Sequence, residues 1–431
     1  STSNTDCDDS KSTAYPGAPE LCDGILNNCN QKVKDAHCPT KCEGSWPVFL
    51  GGSSGFPAIA QLNSDNDLEI ITRNAGSARA IKADGSELWK TPLSISYSYP
   101  ALADMNGDAT VDLVVPDHAK NVHILHGGTG KILATVNTGH GRGYYGALVF
   151  DFDGDGYNDI LATGSQPYKL LMMGAGMKVK ATVSLAPQSG EIFSLVSGGA
   201  FDLQGDGVVE LFLGSGNWGC VSNTSTCKGR LYAYNLNGSA YNDPTWTKVG
   251  VPHFKVNGFP KSYSGEGRWA FYADADGDGV NEVYHSFSNS SSDLWKKDGT
   301  PHALSGKVGW GGAPTVAPVK SDGTLDLTGK LRSVGGPMVD IDGDGTYERI
   351  ANGSGGLNIY KAGKVMDGFP LNISANPPII GDINRDGRLD IIYISGKNNA
   401  LNCYTLGAGT YTEKNVIQPG TINGIGRSHY P

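Results

Sequence analysis

DADGDGVNE, residues 274–282, packs four carboxylates, Asp274, Asp276, Asp278 and Glu282, into nine residues with two glycines and no basic residue among them. Two such charges ~4 Å apart repel by about 1 kcal/mol at water's dielectric constant, and by more where water is partly excluded. The stretch therefore asks for a counter-charge. Its oxygen side chains at positions 1, 3, 5 and 9, with a glycine at position 6 allowing a sharp turn, would surround a hard cation. Oxygen donors without His or Cys suit calcium rather than zinc or copper.

The pattern recurs. Written Asp-x-Asp/Asn-x-Asp-Gly-x-x-Asp/Glu, it starts at Gln61, Asp104, Asp151, Asp202, Asp274, Asp340 and Asp382, at intervals of 43, 47, 51, 72, 66 and 42 residues. Each copy follows a short apolar run, such as FPAIA or GALVF, and precedes a β-type run, such as LEIIT, VDLVV or LDIIYI, so each loop joins two strands. Two more strands follow in most repeats. Four strands per repeat make one propeller blade, and seven units without polar caps suit a ring better than a solenoid. The expected fold is all-β: a seven-bladed β-propeller of four-stranded blades over residues 46–431, its tail 404–431 the least patterned part. A short, disulfide-bonded, Cys/Asp-rich arm, residues 1–45, precedes it.

Ring closure has its own signal. An aromatic-proline pair stands 15 residues before the loop at Phe259-Pro260 and 13 before it at Phe369-Pro370, and Trp46-Pro47 stands 15 before Gln61. Residues 46–51 have no blade before them and are expected to supply the outer strand of blade seven. Cys42 or Cys38 would then reach Cys403 in the neighbouring strand. The alternative makes YTEKNVI, residues 411–417, that outer strand and leaves Cys403 simply buried.

Composition supports a turn-rich β protein. Glycine supplies 61 of 431 residues, about twice the typical ~7% share, and charged residues make up 18%, below the usual ~25%. No apolar run approaches the ~18 residues of a membrane span, and no amphipathic helical period appears. The chain reads as soluble, and its start at Ser1, without basic and apolar leader regions, reads as a mature form. Eight cysteines, five of them at Cys7, Cys22, Cys29, Cys38 and Cys42, indicate disulfides and an oxidising compartment; Cys220 and Cys227 are expected to pair. The lack of a CxxC pair argues against structural zinc.

The candidate metal ligands follow the register. They are Asn63, Asp65 and Glu69 in loop one; Asp104, Asn106, Asp108 and Asp112 in loop two; Asp151, Asp153, Asp155 and Asp159 in loop three; and Asp202, Gln204, Asp206 and Glu210 in loop four. Loop five adds Asp274, Asp276, Asp278 and Glu282, loop six Asp340, Asp342, Asp344 and Glu348, and loop seven Asp382, Asn384, Asp386 and Asp390. Loop one, with neutral Gln61 first and Asn66 in place of glycine, is expected to be weakest or empty; loop two has Ala109 at position 6. These positions hold 23 of the 43 acidic residues, so seven dications would turn the formal charge of −9 into +5. The acidity thus says little about a partner, and no Lys/Arg-rich segment points to nucleic acid.

From about residue 46 to 403 the chain resembles the FG-GAP or VCBS-repeat β-propellers, the architecture of the integrin α-chain head. The resemblance implies several Ca2+ ions, up to about seven, on one face of a disc, with recognition on the other. Residues 6–30, DCDDSKSTAYPGAPELCDGILNNCN, resemble a short Asp/Cys metal-binding motif of secreted and surface-displayed bacterial proteins, which makes Asp6, Asp8, Asp9 and Asp23 candidates; Leu26 stands where that motif is usually acidic.

Segments entering the inner strands are rich in aromatics and arginine. Gly-x-Gly-Arg occurs at Arg142, Arg268 and Arg427, followed by Tyr144 and Tyr145, Trp269, and Tyr430. Aromatic platforms beside guanidinium groups suit an acidic sugar or an anionic peptide side chain, so Arg142, Tyr145, Arg268, Trp269, Arg427 and Tyr430 are candidate ligand contacts. The plainer reading packs the rings between blades and pairs the arginines with acids such as Glu266. His140 with Tyr144 or Tyr145, and Arg142 or Arg268 neutralising a uronate, would be a set for proton abstraction, though a stray loop histidine is the plainer reading. The expected protein is secreted or displayed at the cell surface and binds a glycan or an extracellular protein in adhesion. The alternatives are a polysaccharide lyase or hydrolase acting on an acidic glycan, and a subunit of an extracellular filament or coat.

Overall fold

A computed structural model describes residues 39–52, 57–95, 100–139, 147–162, 168–185 and 378–406 almost without interruption, chiefly the strands between 192 and 371 and at 416–417, and in the arm residues 14–16 and Cys29. The described strands form seven antiparallel sheets. Sheet one takes Ala58–Ala60, Glu69–Asn74, Ser77–Ile81 and Glu87–Pro92 in order. Sheet two repeats this with Ala101–Ala103, Asp112–Pro116, Asn121–Leu125 and Ile132–Asn137, and sheet three with Ala147–Phe150, Asp159–Ala162, Tyr168–Gly174 and Lys178–Leu185. Sheet four opens with Ile192–Phe193 and Gly199–Phe201, both paired with Glu210–Gly216; sheets five and six begin with Gly267–Ala273 and Met338–Val339, and sheet seven takes Ile379–Gly381, Asp390–Ile394 and Ala400–Thr405. Among the described residues no helix is long and apolar enough to cross a membrane.

The loop pattern sets the strand ends. In every sheet the strand leading into the loop stops one residue before loop position 1, the strand after it starts at position 9, and those two residues are paired. The pairs are Ala60 with Glu69, Ala103 with Asp112, Phe150 with Asp159, Phe201 with Glu210, Ala273 with Glu282, Val339 with Glu348 and Gly381 with Asp390. The nine-residue motif is thus a hairpin connection of fixed register.

Second strands read as unbroken apolar runs because both of their faces are covered. Side chains alternate across a strand, so neighbours in sequence go to different interfaces. Ile70 packs between sheets one and seven and Ile71 between sheets one and two. Leu113 and Val114 divide likewise, as do Ile160 and Leu161, and Ile391 and Ile392. Each such side chain, fully removed from water, contributes about 1.5–3 kcal/mol. Sheet seven packs on both sheet six and sheet one.

Sheet seven is completed from the other end of the chain. Thr40–Lys41 and Val48–Phe49 both pair with Ala400–Thr405, in the register Thr40 with Thr405 and Val48 with Leu401. The expectation for residues 46–51 therefore holds, and the sheet also takes in Thr40–Lys41 on the arm side. Cys42 is the residue bonded to Cys403, with Cα atoms 5.4 Å apart. The rival assignment of residues 411–417 is not what is found: Val416–Ile417 pairs with Met338–Val339, at the inner edge of sheet six. Trp46 ties the incoming segment to sheet one by donating from Nε1 to the Ala83 carbonyl at 3.1 Å.

Candidate functional site

Position 1 organises each loop from within. Asp104 Oδ1 accepts the amide of Gly107 at 2.7 Å and its Oδ2 that of Ala109 at 2.8 Å; Asp151 does the same with Gly154 and Gly156, both at 2.8 Å. Asp382 accepts from Asp386 and Gly387 at 3.0 and 2.9 Å. These amides converge because positions 4 and 6 take left-handed backbone, as at Gly154 (φ 72°), Gly156 (φ 87°) and Gly387 (φ 84°). Ala109 (φ 65°) and Arg385 (φ 56°) are held in the same region, where a Cβ costs roughly 1–2 kcal/mol. Asp108, Asp155 and Asp386 at position 5 each accept the amide two residues on, at 2.7–3.0 Å. Asn106 and Asn384 at position 3 donate to the position 5 carboxylate at 2.9 and 3.2 Å.

Position 9 lies underneath. Glu69, Asp112, Asp159, Glu348 and Asp390 are 1% exposed or less. One oxygen of each accepts the amide of position 2, from Leu62, Met105, Phe152, Ile341 and Ile383, at 2.8–3.1 Å. The second oxygen meets different groups. Asp159 Oδ1 accepts the Met173 amide at 2.7 Å, and Asp390 Oδ1 accepts the Thr405 hydroxyl at 2.6 Å. Asp112 Oδ1 is buried without a donor. Burial pushes the carboxyl up to about 6 at Asp112, about 7 at Asp159 and about 6 at Asp390, against the opposing pull of these hydrogen bonds.

Among the described residues, loop three brings carboxylates together most closely. One oxygen each from Asp151, Asp153 and Asp155 lies within 4.8 Å of the others. The Asp153 side chain is 6% exposed and its Oδ1 has no donor. Burial raises the Asp153 carboxyl; at the more exposed Asp155 burial is outweighed by Lys180 and the Tyr157 amide, and the carboxyl is lowered. Lys180 contacts both, with Nζ 3.1 Å from Asp153 Oδ2. A crowded set of hard oxygens, one of them buried and lacking a donor, fits a hard cation. Loop one is built differently: Gln61 Nε2 donates to the carbonyls of Asn63 and Asp65 at 3.1 and 2.6 Å, and Asn63 Nδ2 donates to Glu69 Oε1 at 2.7 Å. A neutral amide donates into loop one at the position where a carboxylate accepts in loops two, three and seven.

Adjacent loops touch. Asn158 Nδ2 donates to the Asp104 carbonyl at 2.8 Å, linking loops three and two, and Arg385 Nε donates to the Asn66 carbonyl at 3.2 Å, linking loops seven and one. The basic partners of the loops were not evident from the nine-residue pattern. His126 Nε2 lies 3.6 Å from Asp108, Lys361 Nζ 3.3 Å from Glu348, and Lys180 against loop three. Each comes from the end of a third strand or from a fourth, so only the strand register could have located them. Arg388, inside loop seven, bonds Asp386 at 2.6 Å. Cys42, Asp390 and Cys403 also cluster, but the two sulfurs are joined as a disulfide and are not available as thiolate ligands.

The remaining sequence candidates divide simply. Glu210 and Glu282 open second strands, and Arg268 and Trp269 lie on the first strand of sheet five. Asp202, Gln204, Asp206, Asp274, Asp276, Asp278, Asp340, Asp342 and Asp344 lie outside the described residues. So do His140, Arg142, Tyr144, Tyr145, Arg427 and Tyr430, the cysteines Cys38, Cys220 and Cys227, and the arm residues Asp6, Asp8, Asp9 and Asp23.

Comparison with known proteins agrees with this architecture. A family profile for the FG-GAP-like repeat matches residues 104–162, which take in loops two and three. The Cu-binding MopE profile, described as "Putative metal-binding motif", matches residues 6–35. No curated protein matches the sequence. Among solved structures, the V. cholerae biofilm matrix protein Bap1 aligns with a TM-score of 0.53 at 15% identity, covering 88% of this chain and 92% of that one. The exotype rhamnogalacturonan lyase YesX aligns with a TM-score of 0.53 at 17% identity, covering 87% of this chain and 76% of that one. At such identities the likeness is one of fold. The chain is thus an all-β protein of propeller type that carries an FG-GAP-like repeat at residues 104–162 and, at residues 6–35, the Asp/Cys motif of the second profile.

Proposed function

We propose that the chain is a closed, seven-bladed propeller braced by Ca2+ ions, acting outside the cell as a recognition module for a glycan or an extracellular protein. The observation that carries the metal part is loop three, where three carboxylates crowd within 4.8 Å and a buried oxygen of Asp153 lacks a donor. Asp112 Oδ1 makes the same demand in loop two. The ions would be held by positions 1, 3, 5 and 9, the buried ninth carboxylate also fixing the hairpin through the position 2 amide. Loops three, five and six have the fullest acidic sets, and loop one, closed by Gln61, takes an ion last or not at all.

Recognition is assigned to the opposite ends of the inner strands. Arg268 and Trp269 lie on one such strand, and Arg142 with Tyr145 and Arg427 with Tyr430 stand in the same sequence pattern. Guanidinium and aromatic groups together favour an acidic glycan. A biofilm matrix protein and a rhamnogalacturonan lyase share the fold, which is in keeping with a ligand of that class.

Metal analysis and thermal melting with calcium or EDTA test the first part; binding of acidic oligosaccharides on a glycan array, with and without chelator, tests the second. Absence of alkaline-earth metal together with identical melting in both buffers would sink the calcium reading. Release of unsaturated products absorbing near ~235 nm would replace a binder with a lyase built around His140.

A further inference from the structure

The fourth strands of sheets one, two and three share a bulge. In each the pairing skips one residue: Leu88 between Glu87 and Trp89, Leu133 between Ile132 and Ala134, and Lys180 between Val179 and Ala181. A bulge re-aims the side chain of its extra residue. In sheets one and two that side chain is a leucine packed against the core between sheets. In sheet three it is a lysine whose ammonium reaches over loop three to Asp153 and Asp155. Gly174 makes the route possible, because a Cβ there would sit 2.9 Å from both Cγ and Cδ of Lys180. The lysine side chain is 20% exposed, so its stem is laid into a slot rather than left in solvent. Beside it, Asp153 is 6% exposed and keeps one oxygen without a donor, so the ammonium leaves part of the demand unmet.

We propose that Lys180 is the built-in cation of the third loop, and that a divalent ion occupies that loop only by displacing the ammonium group. The inference rests on the metal reading above and sharpens it. Two cations a few ångströms apart repel strongly where water is partly excluded, so lysine and ion alternate. The third loop, with four acids among its ligand positions, is then weaker than its composition implies and fills only after comparable loops that have no competing lysine.

The test uses terbium as a luminescent substitute for calcium. It is titrated into the wild type, Lys180→Leu and Lys180→Arg, each with and without Tyr157→Phe. Leucine is the residue at both sister bulges, so that variant has a precedent in the same chain. Tyr157, whose amide bonds Asp155 Oδ1, absorbs the light that sensitises terbium emission from loop three. The Tyr157-dependent midpoint should fall at least about tenfold in Lys180→Leu and stay within about threefold of wild type in Lys180→Arg. On the wild type itself, acetylation of Lys180 read by mass spectrometry should be several-fold faster in calcium than in chelator, with Lys178 unchanged. Equal midpoints, or equal acetylation in the two buffers while calcium binds, would overturn the role of Lys180 and leave the metal reading standing. No Tyr157-dependent emission in wild type or Lys180→Leu, with no calcium-induced rise in melting temperature, would overturn both.

Discussion

Raising the pH should destabilise the metal-free protein. Asp112, Asp159 and Asp390 are 1% exposed or less, and burial moves their carboxyls from 3.8 to about 6, about 7 and about 6. Between 3.8 and those values the folded chain holds protons that the unfolded chain has released, so stability is greatest at the acid end and is lost as pH rises through the folded values. From about pH 5 to about pH 7.5 the loss is on the order of 1–3 kcal/mol per group, largest for Asp159, and roughly 5 kcal/mol together. Asp108, Asp117, Asp155 and Asp386 are shifted below 3.8, remain ionised in both states over this range, and add no slope. Urea denaturation in EDTA, followed by tryptophan fluorescence, reads the effect directly. Asp159→Asn should remove about half of the slope, and saturating calcium should reverse its sign, because a bound ion favours ionised carboxylates. Metal-free stability that stays level or rises over this interval would refute the argument from buried carboxylates.

Three further outcomes are expected. Ala109→Gly relieves the left-handed strain of loop two and should stabilise the metal-free protein by about 1 kcal/mol, seen as a higher urea midpoint; an unchanged midpoint would mean that the turn costs nothing. Replacing Cys42 and Cys403 with serine removes a crosslink between residues 361 apart and should cost roughly 2–5 kcal/mol, measured by melting under non-reducing conditions. Asp276→Ala in loop five should lower the melting temperature in calcium and matter little after chelation; equal losses in both buffers would remove Asp276 from the ligands.

Local rules made part of this molecule readable. The nine-residue motif must be spanned by one hairpin, so its first and last positions marked strand ends in all seven sheets. Apolar doublets such as Ile70-Ile71 could be read as doubly covered strands because alternation sends them to two interfaces. What could not be read were contacts made by residues far along the chain. Lys180 follows Asp155 by 25 residues and is aimed by a bulge with no sequence signature of its own. The hydroxyl that satisfies Asp390 belongs to Thr405, on a third strand whose outer neighbours come from the N-terminus. The choice of Cys42 over Cys38 depended on the same register, since Cys42 follows the residue paired with Tyr404.

The composite seventh sheet also dictates when the protein can finish folding. Its outer strands, near residues 40–49, are synthesised long before their partner, near residues 400–405. Until then the early segment has no edge to join, and the last one lacks a lateral neighbour. Closing so long a span is entropically slow and raises the contact order of the final step. Assembly of the first five sheets can begin on the nascent chain, whereas completion of the seventh must wait until residues 400–405 have been made.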